Sequence, residues 1–336
     1  GSNGLAVAPS RSADGHTRLS ANSHQPYEGR VAWYEARLKS EEGIDLIGGL
    51  FPGTPIILTG VGPNFGWAST VNKPDLFDTF KLVVDDEKNP TQYRMDGAWK
   101  SFERKQIRYN VLRDGVLVPV ERTGLSSVHG PAYITDKGVF AMSYVGKGDF
   151  KHLDQYLAIN MAKTVDDWRA AQIKYNAIPS VNYIVGDSKG GIAYFWNAHM
   201  PKRVPGWDRS KVLPGDISET LWTGWASPTT LPSIIRPKSG YIVNSNHSPL
   251  LVSGSEDNLK AENYPKDYGL DTLVTNRGLR AQELFGADTS ITREEFFAYK
   301  MDDRYAAGSN VRKMQADFRN VDAGEDADLK AALAIV

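Results

Sequence analysis

Gly1-Ser2-Asn3-Gly4-Leu5-Ala6-Val7-Ala8-Pro9-Ser10 opens the chain, and the reading of all that follows turns on its second residue. A serine behind one glycine becomes an N-terminal serine once that glycine is removed, and its hydroxyl then has its own α-amine within one residue. A serine hydroxyl is a weak nucleophile at neutral pH and needs a base, whereas an α-amine titrates near ~7.7 to 8.0 and is partly unprotonated there. Cutting between Gly1 and Ser2 would therefore create a nucleophile with a built-in base. Cloning junctions leave the same two letters, so the pair gains meaning only from what surrounds it. Leu5 to Pro9 and Leu19 to Asn22 are short β-type runs joined across Ser12-Ala13-Asp14-Gly15, and Asp-Gly between such runs signals a hairpin. That places Ser2 at the start of an edge strand.

Composition bounds the rest. The 336 residues with 41% hydrophobic content support one large domain or two ordinary ones. Lysine and arginine (39) nearly cancel aspartate and glutamate (40), so no net field draws the protein to nucleic acid or anionic membrane. The absence of cysteine excludes disulfides, thiol nucleophiles and thiolate metal sites without choosing a compartment. No apolar run approaches the ~18 residues of a membrane-spanning helix.

Further along, Val31 to Leu38, Ile44 to Leu50, Pro55 to Leu58 and Gly66 to Val71 read as strands, more continuously apolar than alternating, as in a sheet covered on both faces. Between Phe80 and Tyr144 short strands spaced by turns indicate an all-β subdomain. Thr164 to Asn176 reads as an amphipathic helix with Thr164 and Asp167 at capping-box spacing. Val181 to Val185 and Gly191 to Trp196 flank a second hairpin turn, Tyr241 to Asn246 is a strand running into a polar tip, and the chain from Thr275 to Val336 reads as helical. The expected organisation is a first core part over 1–79, an inserted β subdomain over 80–145, a second core part over 146–285 and a helical region over 286–336. The uncapped apolar end suggests a truncated helical region.

Six stretches in order carry a family resemblance: Ser2-Asn3, Asn22-Ser23-His24, Trp67 to Val71, His129-Gly130-Pro131, Pro214-Gly215-Asp216 and Asn244-Ser245-Asn246. Together they resemble the β-subunit of the penicillin acylase family, N-terminal-nucleophile hydrolases made as one precursor and cut before a serine. The resemblance implies an α+β fold, a four-layer αββα sandwich with an inserted β subdomain, and an acylase that cleaves the amide of an N-acylated small molecule, of penicillin or acyl-homoserine-lactone type. It implies autocleavage at Gly1-Ser2, Ser2 as nucleophile, the Val71 N–H and the Asn246 side chain as oxyanion donors, and His24 as the group orienting nucleophile and water. Arg277 or Arg280 would hold the asparagine and the amine, with Arg277 preferred.

The same resemblance implies a structural calcium on Asp75 and Asp78, whose hard oxygen ligands suit that ion. Leu58 stands where cephalosporin acylases carry an arginine for a dicarboxylic side chain, so an apolar acyl group fits better. Tyr34 matches a tyrosine of the same pocket, and Gln25 stands where many members have an apolar residue against the acyl chain. An α-subunit from the same precursor and a periplasmic or secreted location are implied by family habit, with no nucleic-acid or membrane partner. The rival readings are a binding or scaffold protein of the same fold with a dead site, and a lipopeptide acylase. P-loop, G-x-G-x-x-G and H-E-x-x-H motifs are absent from the sequence.

Overall fold

The strand that begins with Ser2 is central. β1 (Ser2–Val7) lies between two antiparallel neighbours, β2 (Arg18–Ser23) on one side and Tyr241–Asn244 on the other. The edge placement read from the sequence is thus corrected: a strand more than two hundred residues away covers its second side. The computed structural model describes residues 1–148 and 150–335. These form two units, one of residues 1–74, 150–198 and 228–335, the other of residues 75–148 and 199–227.

In the first unit β1 and β2 are followed by β3 (Tyr34–Lys39), β4 (Asp45–Leu50), β5 (Thr59–Val61) and β6 (Phe65–Thr70). The second unit takes β7 (Phe77–Lys81), β8 (Gln92–Met95), β9 (Ala98–Ser101), β10 (Glu103–Arg113), β11 (Val116–Ser127), β12 (Gly130–Thr135) and β13 (Gly138–Tyr144). Helices α1 (Lys151–Met161) and α2 (Val165–Tyr175) and strands β14 (Ser180–Asp187) and β15 (Ile192–Ala198) return to the first unit. β16 (Pro201–Arg203), β17 (Leu213–Pro214) and β18 (Trp222–Trp225) belong to the second. The first closes with β19 (Ser233–Ile235), β20 (Tyr241–Asn244), α3 (Asn276–Ala287), α4 (Arg293–Met301), α5 (Asn310–Arg319) and α6 (Ala327–Leu333).

The first unit stacks two sheets between two helical layers. The smaller sheet runs β2-β1-β20 and the larger β19-β15-β14-β6-β5-β4-β3. Alternation along β1 and β20 sorts their side chains. Leu5, Val7, Tyr241 and Val243 pack with Phe285 of α3 and Phe296 of α4, while Gly4, Ala6 and Ile242 are turned the other way and are also buried. A Cβ on Gly4 would lie 2.6 Å from Ile184 Cδ1 and 3.3 Å from Ala68 Cβ, so the glycine lets β1 lie directly on β14 and β6. On the outer face of the larger sheet, Trp168 of α2 stacks on Phe195 at 4.4 Å and meets Tyr183 edge-on at 4.8 Å, with Ile159 of α1 in the same cluster. The order helix, sheet, sheet, helix is the four-layer α+β arrangement. Thr164 caps α2 as expected, accepting from the Asp167 N–H at 3.1 Å.

Two local readings change, and one helix carries no signal in the sequence. Pro55 to Leu58 is not a strand; the ladder resumes at Thr59. β1 and β2 pair from Ser2↔Ser23 to Val7↔Arg18, but a 3₁₀ turn (Pro9–Arg11) lengthens the connection beyond a tight Asp-Gly hairpin. Helix α1 gives no apolar periodicity because its inner side carries Gln155 and Asn160, with Leu153, Leu157 and Met161 exposed. Those two polar side chains satisfy main chain: Asn160 bonds both Ile57 N–H and Ile57 carbonyl at 2.9 Å, and Gln155 accepts from Ala177 and Ile178.

In the second unit the sheet runs β10-β11-β12-β13-β7-β17 around a core including Phe80, Tyr93, Phe102 and Leu213. This differs from the expected insertion at 80–145 in a core resumed at 146: the unit begins at 75 and takes in 199–227. Pairing of β17 with β7, Leu213↔Phe80 and Pro214↔Lys81, is one reason. The other is the charge cluster on Asp78 described below.

Candidate active site

The site forms where the ladder between β1 and β20 stops. Their last pair is Gly4↔Asn244, beyond which the chain turns away through Ser245 and Asn246, the latter in the left-handed region at φ 59°. Asparagine tolerates that conformation better than most residues because its short polar side chain bonds locally. Here the side chain takes over the missing strand's role: the Ser2 N–H donates to Asn246 Oδ1 at 2.5 Å. Asn246 Nδ2 donates to the Val71 carbonyl at 3.0 Å, and the Asn246 N–H to Asn244 Oδ1 at 3.1 Å.

Asn244, fully buried, organises this corner. Its Oδ1 also accepts from Thr70 Oγ1 at 2.6 Å, and its Nδ2 donates to the His247 carbonyl at 3.3 Å. The turn after β20 is thereby tied to the end of β6.

Arg277 enters from the first turn of α3, which Thr275 caps by accepting the Gly278 N–H at 3.1 Å. Its Nη1 donates to the Ser2 carbonyl at 2.7 Å and to Asn3 Oδ1, and its Nη2 to Asn246 Oδ1 at 3.2 Å. These acceptors are neutral, and Arg277 has no ion pair among the described residues. An uncompensated guanidinium therefore stands beside Ser2, itself buried. Arg280 is committed elsewhere, donating from Nε and Nη2 to Asp302 at 2.8 and 2.9 Å.

Gly1 is held in the same cluster. Its carbonyl accepts the His24 N–H at 2.8 Å, continuing the β1–β2 register. A Cβ at Gly1 would lie 3.0 Å from His24 Nδ1, 3.3 Å from Arg277 Nη2 and 3.6 Å from Asn246 Oδ1. Desolvation, then the Arg277 charge and the chain's amino terminus, hold the His24 imidazole below 6.5.

Gly1, Ser2, His24, Asn246 and Arg277 thus converge, and Val71 joins them through its carbonyl. Leu58 lies one step back: its carbonyl accepts from Trp67 Nε1 at 2.8 Å and Ser69 Oγ at 3.2 Å. Gln25 follows His24 and is half-buried, while Tyr34 starts β3, the edge strand of the larger sheet, and is exposed. Sequence reasoning missed Asn3, Thr70, Asn244 and His247. Asn244 was visible only as the first letter of its triplet.

Asp75 and Asp78 lie in the second unit. Asp78 Oδ2 accepts from Arg203 Nε at 3.0 Å, Arg209 Nη1 at 3.3 Å and Trp222 Nε1 at 2.5 Å, with all three charged side chains almost wholly buried. Arg203 Nη2 reaches the Asp75 carbonyl at 3.0 Å and its carboxylate at 3.4 Å. Calcium takes about six to eight oxygens at about 2.3–2.6 Å. Asp78 Oδ1, buried without a hydrogen-bond partner, is a single such oxygen beside two guanidinium groups. Among the described residues no group of three His, Cys, Asp or Glu side chains could hold a metal. The residues do not fit the expected calcium.

Two facing sheets between helical layers, with a serine at the start of a central strand, define the N-terminal-nucleophile hydrolase fold. The structure of a thermostable penicillin G acylase from Alcaligenes faecalis superposes with a TM-score of 0.77 at 21% identity, over 99% of this chain and 58% of that one. The penicillin amidase family model matches residues 1–334, and the chain belongs to that family.

Among similar proteins, acyl-homoserine lactone acylase PvdQ of Pseudomonas fluorescens (strain Pf0-1) is 30% identical over 202 residues, 58% of this chain and 26% of its own length. The PvdQ of Pseudomonas putida is 27% identical over 270 residues, 73% and 35% respectively. Aculeacin-A acylase of Actinoplanes utahensis is 27% identical over 327 residues, 86% and 40%. The chain spans about a quarter to two fifths of the length of these relatives. No helix among the described residues is long and apolar enough to cross a membrane.

Proposed function

We propose that the protein is an amidohydrolase that matures by cutting its own Gly1–Ser2 bond and then cleaves N-acyl amides through an acyl-enzyme on Ser2. The observation that carries this reading is the convergence of Asn246 Oδ1, Arg277 and the His24 N–H on the Gly1–Ser2 peptide. In maturation Ser2 Oγ attacks the Gly1 carbonyl carbon, whose oxygen is already held by the His24 N–H. The acyl group moves from nitrogen to oxygen, and water cleaves the ester, leaving Gly1 with a carboxylate and Ser2 with a free amine.

In turnover that amine, held by Asn246 Oδ1, takes the hydroxyl proton through a water as Ser2 Oγ attacks the substrate carbonyl. One N–H of Asn246 Nδ2 faces the Val71 carbonyl, and its second N–H serves the oxyanion together with the Val71 N–H. The neighbouring Arg277 charge favours both the neutral amine and the developing oxyanion. The amine product departs with the proton, and water releases the acyl group.

The substrate we infer has an apolar acyl chain. A groove of about 560 Å³ beside β2 is lined mainly by Leu19, Ala21, Trp33, Ile47, Val61 and Trp67, with Glu35 and Asn22 as polar members, and its lining includes Ser23, the strand partner of Ser2. That volume suits a small apolar ligand. Acyl-homoserine lactones, penicillin-type β-lactams and acylated lipopeptides form the test panel, and an α-subunit from the same precursor is the expected partner. Full-length protein is assayed by mass spectrometry for the Gly1–Ser2 cut and for amine release from each compound. Ser2→Ala is expected to abolish both. Retention of either, or an active sample with Gly1 still attached, refutes the mechanism, and a properly folded wild type that releases no amine would point to a binding protein.

A further inference from the structure

His247 is buried immediately after Asn246 and has no part in the chemistry above. Its Nε2 lies 2.6 Å from the Leu251 carbonyl, which can only accept, so Nε2 carries the hydrogen. Its Nδ1 lies 3.1 Å from the Ser245 N–H, which can only donate, so Nδ1 presents its lone pair. The two bonds together require the neutral ring in one tautomer.

The ring also sits against α3. A Cβ at Gly278 would lie 2.5 Å from His247 Nδ1 and 2.7 Å from Cγ, and Gly278 directly follows Arg277. One imidazole therefore touches both the turn that delivers Asn246 and the helical turn that delivers Arg277.

We propose that His247 is a positioning residue for this site. Its neutral ring keeps the turn at 244–246 seated on the first turn of α3, so that Asn246 and Arg277 reach Ser2 together. A proton taken from solvent at Nδ1 removes the acceptor of the Ser245 N–H and sets two donors against each other, which frees the turn. The proposal rests on the roles assigned above to Ser2, Asn246 and Arg277.

The charge facing the ring is that of Arg277 on α3. Around it are the neutral Asn244, whose Nδ2 meets the His247 carbonyl, and Gln282, which shares the Leu251 carbonyl. Tyr241 on β20 is the titratable group beyond, donating its phenol hydrogen to Gln282. Burial holds the imidazole below 6.5; the Leu251 carbonyl opposes that and Arg277 adds to it. The neutral ring thus predominates at pH 7.

The test compares full-length wild type with His247→Asn, whose amide oxygen can still accept from Ser245 but does not titrate, and His247→Leu, which removes the acceptor. Turnover of an acyl amide is measured between about pH 5 and 8, with thermal melting as the fold control. His247→Asn is expected to keep kcat at pH 8 within about threefold and to flatten the wild type's acid-side fall from that of two protons to that of one, the one taken by the Ser2 α-amine. His247→Leu is expected to lower kcat about 10- to 100-fold with KM little changed, as for a misplaced catalytic group. An unchanged acid limb in His247→Asn, or a wild-type kcat in His247→Leu, overturns the proposal. Amide hydrogen exchange at Ser245 gives a readout independent of catalysis: wild type should lose protection, relative to His247→Asn, as the pH falls. Equal protection in the two also overturns it. An inactive wild type with intact pH-dependent protection would instead count against the acylase reading alone.

Discussion

Asp78→Asn keeps the shape of the side chain and removes the negative charge that Arg203 and Arg209 share. Both guanidiniums are nearly inaccessible, with side-chain exposures of 1% and 4%, so water cannot replace what the carboxylate provides. Breaking a buried ion pair from one side typically costs about 3–5 kcal/mol, because the remaining charge is left uncompensated. For a unit of this size each kcal/mol lowers the melting temperature by about 4 °C, so a drop of roughly 12 to 20 °C is expected in its transition. Asp78 sits on β7, whereas Arg203, Arg209 and Trp222 all come from 199–227, so the loss should detach that segment first. Differential scanning calorimetry measures the shift, and hydrogen exchange locates it. Because two arginines stand where a cation would, the wild-type melt should be the same in EDTA and in millimolar calcium. A transition in Asp78→Asn within about 2 °C of wild type, or a wild-type melt raised by calcium, would refute the reasoning.

Gly1→Val should stall maturation, since a Cβ at position 1 already approaches His24 Nδ1 at 3.0 Å; mass spectrometry should show uncut precursor where wild type is cut. Arg277→Lys keeps the charge but replaces a fork spanning Ser2, Asn3 and Asn246 by a point, and kcat is expected to fall about 100-fold. His129 is buried, stacked on Phe80 at 4.0 Å, with Nε2 3.0 Å from the Gly215 carbonyl, and burial holds it below 6.5. The unfolded chain then binds the proton more readily, so this contribution to stability is complete above about pH 6.5 and is lost as the pH falls below it. Urea titrations should show a shallower decline between pH 6.5 and 5 in His129→Asn, and an identical decline would argue against it.

Much of the site was readable because its members lie in short motifs. Ser2, the Asn-Ser-Asn triplet and the end of β6 each announce themselves within a few residues. Helix α1 was not readable, because polar Gln155 and Asn160 occupy its inner side to satisfy main chain at Ile57, Ala177 and Ile178. The part of the second unit at 199–227 was hidden for a similar reason: its attachment to β7 runs from Asp78 to two arginines that look, along the chain, like ordinary surface charge.

The α+β class followed from the family resemblance; by themselves the residues determined that a nucleophile could be made at position 2, that the strands are covered on both faces, and that this chain carries no thiol. These depend on residue identity and local spacing. Tertiary structure alone decided that β1 is central, that Arg277 rather than Arg280 reaches Ser2, that Asp78 faces arginines, and that His247 touches both Asn246's turn and Arg277's helix. Each of those depends on which distant segments share a few ångströms, and the fold settles that through burial and pairing across hundreds of residues.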